Sequence, residues 1–376
     1  MLAAASLAAV LGLGVGGCAD PEPSQDRGGS SAQPDPSVVT GENPVEALAP
    51  AAAWALAAAP HECDPAGPNP APYPGGPVDA ILGMDRCTAV IAIDSGVHLL
   101  APDGTWTALG RDVFSTSALL ARTSDALWVS NQETQGAVFV SRLDENGWTE
   151  IPLGPEVLAV TSMATQDWDP QLLVAVEVAG AEGAGGAETH WLWEVAPDGS
   201  IVAQEELPGL GLAIASDSGL DVVACYSGGG LTLQGFTPDG QWERQIDGGQ
   251  TTPAIAVQDG KAVALVNDDE VGVPVGVLVY GTSDSGSSWE EFELGPETYQ
   301  AGAGSVAIAG ERVVAGVVSR DGLGEFLGGE LDGNPPWTPV GRGGEPGESF
   351  LVSVLGSGAW LAEPDGLRFV EFDFPQ

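Results

Sequence analysis

The feature that most constrains the fold is a turn signal that recurs along the chain. Each copy combines an acidic residue with a glycine and ends on an aromatic or other apolar residue: APDGTW (101–106), DENGW (144–148), APDGSI (196–201), TPDGQW (237–242), SDSGSSW (283–289), LDGNPPW (331–337) and EPDGLRF (363–369). Successive glycines of this signal lie 33 to 52 residues apart. A period in the forties is typical of one four-stranded propeller blade. The signal therefore predicts an all-β chain of repeated blades.

Short apolar runs between the turns support the same fold. The region 78–376 divides into seven units of about 43 residues, and 54 glycines and 29 prolines favour turns over long helices. In the fifth unit, four strands are predicted: TPAIAVQ, KAVALVN, VGVLVYG and WEEFEL. The first and last units show about three strands each, so VDAILG (78–83) could be a strand that one terminus supplies to the other terminal blade. We predict a seven-bladed β-propeller over 78–376; the alternative is a six-bladed ring in which the two partial units merge.

The amino terminus has the character of a targeting segment. Residues 2–17 are apolar and uncharged, and the run is shorter than the ~20 residues of a membrane-spanning helix. It ends in VGGC, which resembles the lipobox of bacterial lipoproteins, where small residues precede a cysteine that is lipidated after cleavage. The resemblance implies a signal peptide over 1–17, lipidation of Cys18 and an extracytoplasmic protein anchored to the cell membrane. The alternative is an ordinary signal peptide with a chance cysteine.

The next segment, 18–77, is rich in proline, alanine, serine and acidic residues. Such a segment cannot bury enough apolar surface to become ordered, so we predict a disordered tether. Within it, 44–60 could form a short helix, with Trp54 available to dock on the folded domain. Outside the cytoplasm we favour a disulfide between Cys63 and Cys87, and we interpret Cys225 as a small buried hydrophobic residue.

Charge and residue content narrow the partners. The chain has 53 acidic and 11 basic residues and a net charge of −42, which disfavours nucleic acid and limits membrane contact to the lipid anchor. There is no CxxC spacing, and the three histidines are scattered, so we predict no metal site and no cofactor. We interpret the acidic cluster NDDE (267–270) as solvated loop charge. We expect a monomer.

The turn TSDSGSSW (282–289) is the most complete copy of the signal. A carboxylate and hydroxyls can bond the exposed amides of a tight turn, a glycine allows positive φ, and a tryptophan can cover the turn. The pattern resembles the Asp-box, or BNR repeat, of sialidase-like propellers. The resemblance implies a peripheral turn between the third and fourth strands of a blade, with structural roles for Thr282, Asp284, Gly286, Ser288 and Trp289.

The catalytic residues of sialidase-like enzymes are harder to identify in this sequence than the turn motif. A sialidase-like enzyme needs three convergent arginines, a tyrosine nucleophile with a glutamate partner, and an aspartate. None of the nine arginines in 78–376 has an Arg-Ile-Pro context, and the candidate tyrosines are Tyr226, Tyr280 and Tyr299. The resemblance therefore implies a fold and not an activity. We predict a non-catalytic binding or scaffold module for a glycan or protein; the alternative is an extracellular sialidase-like glycoside hydrolase.

Four tryptophans outside the repeated turns bear on this choice. They could line a ligand surface at one end of the ring, or they could pack between blades. Packing is the simpler interpretation. The four are Trp128, Trp168, Trp191 and Trp193.

Overall fold

A computed structural model describes most of the chain after residue 70. All of the described residues belong to the unit Glu46–Gln376. They are 54, 71–76, 78–93, 96–110, 118–132, 137–165, 170–180, 188–217, 219–228, 230–246, 252–270, 273–294, 300–319, 322–333, 336–343 and 352–374. The predicted signal peptide 1–17, Cys18, Cys63 and most of the tether lie outside these ranges.

The described residues form strands arranged in seven antiparallel sheets, the blades. Blade 1 contains β1 (Val78–Gly83), β2 (Ala89–Ile93), β3 (Gly96–Leu100) and β4 (Trp106–Ala108); blade 2 contains β5 (Leu120–Arg122), β6 (Leu127–Gln132), β7 (Val138–Asp144) and β8 (Gly147–Pro152). Blade 3 contains β9 (Val157–Thr165), β10 (Leu172–Val178), β11 (Thr189–Val195) and β12 (Ile201–Leu207); blade 4 contains β13 (Leu210–Asp217), β14 (Leu220–Ser227), β15 (Gly230–Thr237) and β16 (Gly240–Ile246).

The second half of the chain continues the pattern. Blade 5 contains β17 (Ala254–Gln258), β18 (Lys261–Glu270), β19 (Val273–Thr282) and β20 (Glu290–Glu293). Blade 6 contains β21 (Gln300–Ala309), β22 (Arg312–Val318), β23 (Gly324–Glu330) and β24 (Thr338–Arg342). Blade 7 contains β25 (Val352–Leu355), β26 (Gly358–Glu363) and β27 (Gly366–Glu371).

The first strand of each blade lies innermost. Each of these strands contacts the first strand of the blades on either side, and β25 of blade 7 contacts β1 of blade 1. The seven sheets therefore form a closed ring. The predicted seven-bladed β-propeller is confirmed, and the six-bladed alternative is wrong.

Ring closure differs from the prediction. VDAILG forms β1 and pairs with β2 of its own blade, so it is not a strand supplied to blade 7. Instead, Ala71 pairs with Leu367 on the outer edge of β27 through two backbone hydrogen bonds, both 2.8 Å long. Trp106 Nε1 donates to the carbonyl of Pro72 over 2.7 Å. The free backbone groups of β27 thus order residues 71–76, which extends the propeller beyond the boundary predicted at residue 78.

The core consists of apolar layers between adjacent blades. Strand β2, AVIAI, is buried along its whole length, as expected for a strand covered on both faces. Between blades 1 and 2, the apolar layer also contains Trp54, which is only 2% exposed. Docking of this tryptophan, which the sequence allowed, is therefore observed.

The turn signals are not all equivalent. Six of them connect the third and fourth strands of their blades, whereas EPDGLRF (363–369) connects β26 and β27, the second and third strands of blade 7. In blade 7, Ala71 pairs with the outer edge of β27, where the other blades have their fourth strand. The cluster NDDE also differs from the prediction, because it is the end of strand β18 and not a loop, and Asn267 within it is buried.

Candidate functional site

The turn TSDSGSSW (282–289) lies between β19 and β20, the third and fourth strands of blade 5. Thr282 Oγ1 donates to Asp284 Oδ1 over 2.8 Å and accepts a bond of 3.0 Å from the backbone N–H of Gly286. Asp284 accepts bonds from the backbone N–H and the hydroxyl of Ser288, at 2.8 and 2.6 Å. Gly286 has a φ of 91°, which favours glycine. The predicted residues therefore close the turn on itself.

Trp289 joins this turn to the neighbouring blade. Its Nε1 donates to the carbonyl of Gly286 over 3.2 Å, and its ring meets Trp242 of blade 4 edge-on, with centroids 5.2 Å apart. The guanidinium of Arg244 lies 5.8 Å from the ring centroids of both Tyr280 and Trp289. The motif thus packs blade 4 against blade 5, which is a structural role.

Hydrogen bonds lower the pKa of the aspartate in several turns. The hydroxyl and backbone N–H of Ser288, together with the hydroxyl of Thr282, lower the pKa of Asp284. Asp103 and Asp198 have lowered pKa values for the same reason, since each accepts bonds from the hydroxyl and N–H of the residue two positions later. Each of these carboxylates therefore accepts hydrogen bonds from groups of its own turn.

The arginines that the structure describes do not assemble a carboxylate-binding centre. They lie on blades 1, 2, 4, 6 and 7, and among them only Arg122 is on an innermost strand. Three have acidic neighbours on outer strands or turns: Arg142 binds Asp125 and Asp144, Arg244 faces Glu291, and Arg368 binds Glu363. Tyr280 is buried in the layer between blades 4 and 5. Arg111, Arg320 and Tyr299 lie outside the described ranges.

The tryptophans outside the turns pack in the core where they are described. Trp128 and Trp193 are buried in the layer between blades 2 and 3, and Trp191 packs against that layer. Trp168 lies outside the described part of the chain. The packing interpretation is thus confirmed for three of the four.

A groove opens at the rim of the ring between blades 3 and 4. It has a volume of about 400 Å³, within the usual range of ligand sites. Its apolar residues come from β10, β11, β12, β15 and the turn after β15, and four acidic residues line it as well. Among the described residues, no lysine, arginine or histidine lines it. The apolar residues are Leu173, Leu192, Ala203, Phe236 and Pro238, and the acidic ones are Glu194, Glu205, Asp221 and Asp239.

The groove exists because the corner between blades 3 and 4 lacks a filling side chain. At three other corners, a side chain from the fourth strand of one blade covers the turn glycine of the next. Ile151 covers Gly199, Trp242 covers Gly286, and Phe292 covers Gly333. At Gly240, in the turn of blade 4, a Cβ would meet nothing within 4 Å. Facing it, β12 supplies Ala203 and Glu205. The corner at Gly147 is similarly uncovered, but there Trp148 bonds across to the carbonyl of Leu109.

Strand β12 borders the groove and is unusually exposed. Its first six residues are all exposed, including Ile201 at 37% and Val202 at 53%. It is the fourth strand of blade 3, and its outer edge pairs with no other strand among those described. The sequence contained a signal for this site, because APDGSI lacks the tryptophan that several other turns have. That difference alone did not predict a groove.

A pair of carboxyl groups lies at the other ends of β10 and β11. Burial raises the pKa of Glu177, and a hydrogen bond and charge repulsion from Glu188 raise it further. Burial lowers the pKa of the neighbouring His190, against the opposing effect of Glu188.

The cysteines are partly described. Cys87 is disulfide-bonded; its partner lies outside the described ranges, so pairing with Cys63 stays a prediction. Cys225 is free and buried, and burial, together with the charge of Glu243, raises the pKa of its thiol to about 12. It behaves as the buried small residue that the sequence suggested.

The described residues contain no group of three or more histidine, cysteine, aspartate or glutamate residues placed to hold a metal ion. No helix among them has the length and apolar character needed to cross a membrane.

Comparison with known proteins bears on the fold. No protein-family model matches the chain, and no curated protein sequence matches it. The solved structures similar to it include BBS1N in complex with ARL6DN, at 14% identity and a TM-score of 0.50, covering 82% of this chain and 94% of that one.

Two other similar structures are prokaryotic. An acylaminoacyl peptidase from Pyrococcus horikoshii has 8% identity and a TM-score of 0.50, over 79% of this chain and 52% of that one. BamB from Moraxella catarrhalis has 15% identity and a TM-score of 0.47, over 79% and 86%. At such identities the likeness concerns the fold alone.

Proposed function

We propose that the chain is a surface-anchored extracytoplasmic lipoprotein whose β-propeller is a non-catalytic binding or scaffold module. The observation that carries the binding role is the groove of about 400 Å³ between blades 3 and 4. It combines an apolar surface with several carboxylates, and the surrounding strands hold it in a fixed geometry. Apolar contact with a few placed polar groups is what recognition sites generally offer. Of the two ligand classes, glycan and protein, the carboxylates favour a protein ligand.

The enzyme alternative is tested together with binding. The purified full chain is applied to a glycan array and a peptide array, and is incubated with fluorogenic glycosides. Saturable binding without turnover supports the module. Turnover that an arginine substitution such as Arg122→Ala abolishes would instead assign a sialidase-like glycosidase.

Anchoring depends on residues before the propeller and has its own test. Cells expressing the chain are fed an alkyne-labelled fatty acid, and the membrane and soluble fractions are compared. We expect the label on the wild-type chain in the membrane fraction, and we expect Cys18→Ser to lose the label and leave that fraction. An unlabelled wild-type chain would contradict the lipoprotein assignment.

A further inference from the structure

We propose that the groove between blades 3 and 4 binds an extended basic segment of a protein partner. The segment pairs with the outer edge of β12 and places a lysine or arginine side chain in the groove. This inference rests on the proposed binding function and specifies the chemistry of its partner.

The shape of the groove suits a long basic side chain. Leu173, Leu192 and Phe236 offer apolar surface, against which the methylene stem of lysine or arginine can pack. Glu205 and Asp239 contribute carboxylates from the two sides of the opening, one from each blade. A charged head group at the end of the stem is thus met by carboxylates, while the stem leaves water.

Strand β12 provides the second half of the recognition. It is seven residues long, and its first six residues are exposed. Its outer edge carries backbone groups that no other described strand pairs. An extended peptide can add to such an edge by main-chain hydrogen bonds, while alternate side chains enter pockets on one face. Ala203 and Glu205 lie on the face of β12 that borders the groove.

The negative charge of the groove favours a basic partner over other occupants. A second copy of this chain, with a net charge of −42, would bring mainly carboxylates to an acidic groove. The amino-terminal segment 18–77 is no better suited, because Arg27 is its only lysine or arginine. A basic partner has complementary charge, and its association is favoured at low ionic strength.

The test uses fluorescence anisotropy with the full chain and a labelled peptide. The peptide matches β12 in length and alternates threonine with arginine. A second peptide replaces each arginine by the neutral isostere citrulline, and a third carries N-methyl groups on the edge that would face β12. We expect saturable binding of the arginine peptide that weakens with added salt, and clearly weaker binding of the other two.

Protein variants locate the binding. Glu205→Gln should weaken binding roughly two- to fivefold. Its matched control is Glu206→Gln, which removes the same charge from the opposite face of β12 and should change binding by less than about twofold. Ala203→Trp fills the groove with the residue type that fills the corner between blades 4 and 5, and should weaken binding roughly tenfold. Circular dichroism checks that each variant is folded. If Ala203→Trp does not fold, Glu205→Gln still tests the inference, because Glu205 is exposed.

Several results would overturn the inference. Equal binding of the arginine and citrulline peptides would remove the role of charge, and equal binding of the N-methylated peptide would remove strand pairing. Spermidine binding as tightly as the peptide would assign the groove to a small cation. Self-association that Glu205→Gln abolishes would assign it to a second copy. Failure of all basic peptides alongside retained binding on the arrays would leave the binding module standing and refute only this partner.

Discussion

Two neighbouring corners of the ring, one between blades 4 and 5 and the other between blades 3 and 4, have opposite character. In the first, Trp242 covers Gly286 and meets Trp289 edge-on, and the Arg244 guanidinium lies over the Trp289 ring. In the second, no side chain covers Gly240, and a groove of about 400 Å³ lies there instead. Both corners are built by the same kind of hairpin from the same kind of turn.

The difference shows how a repeated fold can separate stability from recognition. A filled corner buries aromatic surface and joins blades, which stabilises the ring. An unfilled corner gives up that contribution and leaves a pocket with backbone and carboxylates exposed. Because each blade contacts only its neighbours, one corner can remain open while the others maintain the ring.

The largest expected effect comes from emptying the filled corner. Trp242→Ala should lower the free energy of unfolding by roughly 2–3 kcal/mol, because a partly buried tryptophan loses its contacts with Trp289 and the turn. The matched control is Ile201→Ala. Ile201 also follows its turn glycine by two positions, but it is exposed, so the loss should be about 0.5 kcal/mol or less. Denaturant unfolding measures both, and equal losses would refute the contrast between the corners.

A smaller effect is expected inside the turn at 282–289. Thr282 is buried, and its hydroxyl accepts from Gly286 N–H and donates to Asp284. Thr282→Ala should cost about 1–2 kcal/mol, because the amide loses its partner. Thr282→Ser keeps the hydroxyl and should cost less. Binding of the arginine peptide by the folded variants should be unchanged, since the groove lies at the other corner; a loss of binding would show that the motif is functional.

The aspartate of this turn should make a pH-dependent contribution. The pKa of Asp284 is lowered from its ordinary value of 3.8 by bonds from Ser288 and Thr282. Its stabilising effect is therefore fully present above that value and is lost as the pH falls through the lowered pKa. Asp284→Ala should be less stable than the wild type at neutral pH, and the difference should shrink in acid. Unfolding followed at several pH values checks this, and a constant difference would contradict it.

The smallest expected effect is on the rate at which a thiol reagent labels Cys225, which reports how far the groove extends between blades 3 and 4. Cys225 lies in the apolar layer between blades 3 and 4, inward from the groove. If the opening stops at the rim, this thiol should be labelled only slowly by a thiol reagent in the native protein, and rapidly after unfolding. Rapid native labelling would show that the opening extends into the layer. In unfolded, unreduced protein, labelling of Cys63 or Cys87 would also refute their predicted disulfide.

The blade repeat and the hydrogen-bonded turn at 282–289 could be predicted because their causes are local. The acidic residue, hydroxyls and glycine of 282–289 bond one another within a single turn, so adjacent letters of the sequence contain the whole arrangement. Strand content followed equally well from short apolar runs, as in β18 and β19. The cluster NDDE was misinterpreted as a loop because acidic residues seldom favour strands, yet pairing with β19 overrides that preference.

Ring closure and the groove could not be predicted in the same way. VDAILG looks like any strand, and its pattern does not say whether it pairs with β2 or with blade 7. Ala71 makes a single bridge within a proline-rich segment and leaves no periodic signal. The groove depends on Ala203 and Glu205 facing Gly240 from another blade, a relation between residues distant in sequence.

The sequence by itself determined the number of blades, the hairpin turns and the residues that close them, since those depend on periodicity and on bonds between near neighbours. The tertiary structure alone decided that Ala71 pairs with the outer edge of blade 7 and that the corner between blades 3 and 4 stays open over an acidic groove. Those features depend on which side chains meet across blades, and that is settled only when the ring closes.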